Sequence, residues 1–224
     1  MFSEKIHKEK QDHKIHETQD WIDALKLSLL IFIILLYYYY LRMGIFLPFF
    51  IDNNINFIYL SNKIFALTAV TMISISVLIG PLASFFPYFG KKIGVRKEIG
   101  IVGFLLGLIH IIISFLYSLW GFTWAFLAAN LATILLIIVT IFSNKKSLLS
   151  FGYKKWKAIQ RLVWLALIFI VFHILALGQF VVWKNWLSNP AITYYLPPTN
   201  LVIIIFVMLS FLLRFIVFIK DRLK

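Results

Sequence analysis

The sequence predicts an all-α membrane protein, a six-transmembrane-helix bundle with both termini on the cytoplasmic side. Three observations carry this. The 224 residues are 62% hydrophobic and only 14% charged, against roughly 45–50% and about 25% in ordinary soluble domains. A single soluble core could not hide that much apolar surface, and the mean hydropathy of +0.91 says the same. Six stretches reach the roughly 20 mostly apolar residues that a helix needs to cross a bilayer, and they run continuously rather than alternating as barrel strands do. Finally, the basic residues are segregated to one set of loops.

Residues 1–22 read as a cytoplasmic polar tail, with Glu4, Glu9, Asp12 and Glu17 among lysines. They lack the short basic region followed at once by an apolar core that marks a secretory signal. The six-helix domain covers 23–220. Its spans fall at about 24–42, 64–86, 98–118, 123–142, 158–183 and 200–219, each near the length that a bilayer demands. Of the 22 Lys and Arg, 19 lie on the tail, the 2–3 loop, the 4–5 loop, the C-terminus or the adjoining helix ends. Arg42, Lys63 and Lys184 alone lie on the other side. The dense clusters are Lys91, Lys92, Arg96 and Lys97, then Lys145, Lys146, Lys154, Lys155 and Lys157. Basic loops stay inside, so this places both termini and these two loops in the cytoplasm. The +13 charge is then a topology signal with anionic lipid headgroups as neighbours, and no nucleic-acid partner is expected. Trp21 and Trp156 fall at the inner boundary, and Trp120, Trp124, Trp183 and Trp186 at the outer one. With Tyr37 to Tyr40 they form the aromatic belt of a membrane interface.

Cysteine is absent, which excludes thiolate zinc sites, iron–sulfur clusters, disulfides and Cys nucleophiles. None of the nine Asp and Glu sits deep in a span, which disfavours proton-coupled transport. An intramembrane protease finds no Ser–His or paired-carboxylate arrangement. Two histidines do lie deep, His110 in the third span and His173 in the fifth. Counting from the inner ends at about 1.5 Å per residue, both lie past the midplane within about one turn of the same depth. Two imidazoles so placed can ligate a planar macrocycle from its two faces. Gly100, Gly103 and Gly107 share a helix face leading to His110, leaving room for a porphyrin edge or for close helix packing. Arg96 and Arg161 carry forks that suit a heme propionate or a flavin phosphate, although positive-inside placement explains both. Arg214 is expected to snorkel, Asn130 and Gln179 to bond between helices, and Pro81 to mark a kink. His13 and His16 lie one turn apart without a ligand frame.

Two segments carry a family resemblance. GPLASFFPYFGKKIGVRKEIGIVGFLLGLIH (80–110) and SNKKSLLSFGYKKWKAIQRLVWLALIFIVFH (143–173) resemble the ferric-reductase-like transmembrane family, nearest its branch of heme-binding membrane subunits of bacterial methionine sulfoxide reductase systems. Members hold two b hemes with two His on helix 3 and two on helix 5. His110 and His173 match the outer pair. The inner positions fall on Arg96 and, in WKAIQRL, on Gln160, where the family has His. The resemblance thus implies one heme b, a second site without good ligands, and FMN or a quinone as further candidates around Arg96, Gln160, Arg161, Gly103 and Gly107. The function it implies is a b-type cytochrome moving electrons across a bacterial inner (plasma) membrane. A cytoplasmic flavin reductase, flavin or quinol would be the donor, and a periplasmic methionine sulfoxide reductase or ferric iron the acceptor. The alternative is a non-redox six-helix scaffold or transporter subunit with structural histidines.

Overall fold

The computed structural model describes residues 2–42, 57–90, 92–117, 123–190 and 196–223, with the backbone alone for 2–17 and 221. Lys91, Trp120, Lys224 and the side chains of His13 and His16 lie outside the described residues. The described elements are α1 (Phe2–Arg42), α2 (Phe57–Ala83), the one-turn α3 (Pro87–Gly90), α4 (Arg96–Leu116), α5 (Trp124–Ile141), α6 (Lys145–Gln160), α7 (Leu162–Ile174), a π-helical stretch (Leu175–Gln179), α8 (Phe180–Ser188) and α9 (Thr199–Arg222). Six candidate spans within them are long and apolar enough to cross a membrane, and no strand occurs among the described residues. The chain is a multi-pass membrane protein.

Three features extend or depart from the sequence reading, each for a local reason. The polar tail continues the first span as one helix from Phe2, because no Pro or Gly interrupts residues 2–42. The basic connection at 143–157 is helical too, on either side of a kink at Gly152, where φ is +72°. Asn144 caps α6 by accepting the amide of Ser147 at 2.8 Å, the bond that an N-cap supplies to an orphan N–H. Trp156 and its row of lysines make this an amphipathic element, with Trp156 Nε1 donating to Phe142 O at 2.9 Å. The fifth span, read as one helix, is built from α7, the π-helical stretch and α8. Its break sits at Gly178, where φ is +74°, a left-handed conformation that glycine alone takes without a Cβ penalty.

The centre of the bundle is α2. Its apolar window is 72% buried, against 11–28% in the other five spans. Small and hydroxyl residues make that possible, because without a hydrophobic drive between helices, close backbone approach and hydrogen bonds must hold them. Along one stripe α2 meets α4 in antiparallel register. Asn62 faces His110 and Ser114, Ala69 faces Gly107 and Gly103, and Ser76 faces Gly100. Ser76 Oγ also donates to Arg96 O at 2.7 Å. On its other sides α2 packs against α1 and α9, and α5 pairs with α7. Leu60, Ile64, Leu67, Val70, Leu167 and Val207 form the main apolar cluster. The outer faces, including Leu29, Ile112, Ile168 and Phe215, are exposed, as lipid-facing side chains must be.

Candidate functional site

At one end of the bundle, where α2, α5 and α9 begin and α4 and α7 end, the helices leave a cavity of about 370 Å³. This lies within the roughly 300–1,000 Å³ of small-molecule pockets. Its walls are mostly apolar, from α2, α4, α5 and α7, and include Ala66, Phe104, Ala129 and Ile170. The polar members gather from α2, α4, α5, α7, the π-helical stretch and α9. They include Asn62, His110, Ser114, His173, Gln179 and Asn200.

His110 and His173 both border this cavity, but each is tied to a helix other than the one carrying its counterpart. His110 Nδ1 lies 2.8 Å from Asn62 Oδ1 and 3.2 Å from Asn62 O on α2. His173 Nδ1 lies 2.8 Å from Ala125 O on α5. All three partners are acceptors, so the proton sits on Nδ1 in both rings, an assignment made from the network. Asn62 completes the set by donating from Nδ2 to Ser114 Oγ at 2.8 Å, which fixes its amide with the oxygen toward His110. Asn62 and Ser114 are buried, and such groups are costly unless paired. Among the described residues neither Nε2 has a hydrogen-bond partner. At the rim, Asn200 Nδ2 donates to Gln179 Oε1 at 2.7 Å, and Lys63 Nζ sits 5.0 Å above the Tyr39 ring.

The expectation of a bound heme b, and with it the heme, iron and metal-binding reading of His110 and His173, is overturned. Among the described residues no group of three or more His, Cys, Asp or Glu comes together to hold a metal ion, and the chain has no cysteine. Both imidazoles are held through Nδ1 as helix ties. The residues expected to hold FMN or a quinone are not brought together at one place. The Arg96 guanidinium lies against Gly80 at the opposite end of α4, with Nη1 3.1 Å from where a Gly80 Cβ would stand. Gln160 Nε2 donates to Val139 O and Phe142 O at 3.4 and 3.3 Å, closing the end of α5. Arg161 is exposed at the α6–α7 break. Gly103 is filled by α2, and of these five only Gly107 borders the cavity.

The sequence reading passed over Asn62 and Ser114, which look like helix-end residues. The signal was available, since Asn62 is seven residues before Ala69 and 14 before Ser76. That spacing keeps it on one helix face. Gln179 bonds between helices as expected. Asn130 does not, because its Nδ2 donates to Phe126 O one turn back in its own helix at 2.8 Å. No known family model matches this chain, and no curated protein is similar enough to it to count as a match.

Proposed function

We propose that the chain is a non-redox six-helix membrane scaffold whose two histidines are structural. The observation that carries this is the pair of cross-helix bonds from Nδ1, His110 to α2 and His173 to α5, each at 2.8 Å. Where little water competes, such bonds hold helices that apolar packing alone would leave free to slide. The resemblance to ferric-reductase-like proteins then bears on helix layout alone. A flavin reductase or quinol donor and a periplasmic acceptor would have no carrier here and are not part of the reading. Purified protein should show no Soret band, and His110→Ala and His173→Ala should insert normally. A Soret band removed by either substitution would overturn the proposal.

A second reading, a transporter subunit, draws on one observation. The helix bearing His173 is broken at Leu175–Gln179, and Leu177 and Gln179 border the cavity. Discontinuous helices beside a cavity are where transporters place their substrates.

Either reading puts both termini, α6 and the α3–α4 connection on the cytoplasmic face, for the 19 to 3 division of basic residues. Reporter fusions after Lys146 and after Lys224 should behave as cytoplasmic, and one after Lys184 as external. The reverse pattern would invert the protein.

A further inference from the structure

We propose that Arg96 and Arg214 form a binding site for a phosphate group, at the end of the bundle opposite the histidine cavity. Three helices converge there. The α4 helix starts at Arg96, whose carbonyl takes the Ser76 hydroxyl at 2.7 Å. Its guanidinium occupies the notch left by Gly80. On the third helix, Lys220 Nζ donates to Ser84 O at 3.2 Å, tying the end of α9 to the end of α2.

That tie sets the depth of Arg214. The starts of α2 and α9 share the histidine cavity through Asn62 and Asn200, so the two helices run the same way. Gly80 precedes Ser84 by four residues, about 6 Å, and Arg214 precedes Lys220 by six, about 9 Å. Arg214 therefore comes close to the level of Gly80, against which the Arg96 guanidinium lies, near enough for its charge to act on Arg96. Both side chains are half-buried.

Neither guanidinium has an ion pair or a hydrogen bond among the described residues. The ion pair found there is Lys97 with Glu98 at 3.7 Å. Glu98 is buried, and the Asp20 carboxylate lies beside Gly94. Two half-buried like charges at one level without a counter-charge are unfavourable, and an anion between them would relieve that.

The donor geometry selects its class. Two planar forks arriving from separate helices suit a tetrahedral group with several acceptor oxygens. Lys92, Lys97, Lys220 and Arg222 lie at the same end, with exposed Phe86 and Tyr88 beside them. Such a rim of basic and aromatic residues marks the headgroup level of a bilayer. A lipid phosphodiester is the source within reach of that level, and inorganic phosphate is the source in the adjoining water.

The test uses the full chain in a zwitterionic detergent. Its melting temperature is followed with added phosphatidylglycerol, phosphatidylcholine or inorganic phosphate, in wild type, Arg96→Gln, Arg214→Gln and the distant control Lys184→Gln. Stabilisation should appear with phosphatidylglycerol, or with inorganic phosphate if the free ion is the occupant. Its apparent affinity should weaken by about tenfold or more in both arginine variants, as the loss of a charge-assisted fork requires, and stay unchanged in the control. Without any phosphate source the arginine variants should melt no lower than wild type, since one of two unpaired like charges is gone. Equal stabilisation in all four proteins, or no stabilisation by either phosphate source, would overturn the site. So would arginine variants that melt lower than wild type without phosphate, because the guanidiniums would then be satisfied within the protein.

Discussion

Substituting Gly103 by Val should force α4 away from α2 and cost about 1–3 kcal/mol, the usual penalty for overpacking a filled core. A Cβ at this position would stand 2.9 Å from Met72 Cβ, 3.0 Å from Ile73 Cγ1 and 3.1 Å from Ala69 O. Met72 is fully buried, so it has nowhere to retreat, and the Ala69 carbonyl belongs to the backbone of the central helix. Valine adds two methyl groups beyond that Cβ, so relief must come from a shift of the whole helix. Gly107 is the matched control on the same face. Its Cβ would find only Ala69 Cβ at 3.8 Å, an ordinary contact, and Gly107→Ala should change stability little. Reversible unfolding in mixed micelles reads both. Equal losses at the two positions would show that the face is uniformly tight.

That contrast locates what the sequence could reveal. The spacing of Gly100, Gly103 and Gly107 identified a close-packing face, and the depth arithmetic brought His110 and His173 to the walls of one cavity. Which helix lies at the centre was not legible. The window hydropathy of α2 is 2.1, inside the 1.9–3.0 range of all six spans, because lipid and protein interior are both apolar and leave no periodic contrast. The histidine partners escaped for a related reason. Two imidazoles at one depth suggest a shared ligand, but the acceptors that engage them are a buried amide from α2 and a main-chain carbonyl from α5. A backbone carbonyl has no sequence signature. The Arg96–Arg214 pairing was equally hidden, since it depends on how α9 is tied to α2 and not on any spacing within a helix. Gln160 shows the limit of the resemblance. It set Gln160 on the same helix as His173 with a site between helices 3 and 5, but the side chain turns to the end of α5 instead.

Asn62→Leu should be the most costly of the polar substitutions, lowering stability by about 1–3 kcal/mol through the groups it leaves unpaired. Two are stranded at once. His110 Nδ1–H loses both the strong acceptor at 2.8 Å and its alignment to the 3.2 Å carbonyl, and Ser114 Oγ loses its donor. Interhelical hydrogen bonds within membranes average only about 0.6 kcal/mol, so a loss near that figure would mean that the unpaired groups find new partners. The two accounts separate in a double-mutant cycle. Replacing His110 by Phe as well removes the stranded donor, so the double variant should be no less stable than Asn62→Leu alone. Apolar replacement of both partners can approach neutrality. His173→Phe should behave differently, because its acceptor, Ala125 O, lies in the first turn of α5 and retains the intrahelical bond that such a carbonyl accepts. Its cost should stay below about 1 kcal/mol. If His173→Phe proves as damaging as Asn62→Leu, the two histidines do not act through the hydrogen bonds assigned to them, and the structural reading of both would fail together.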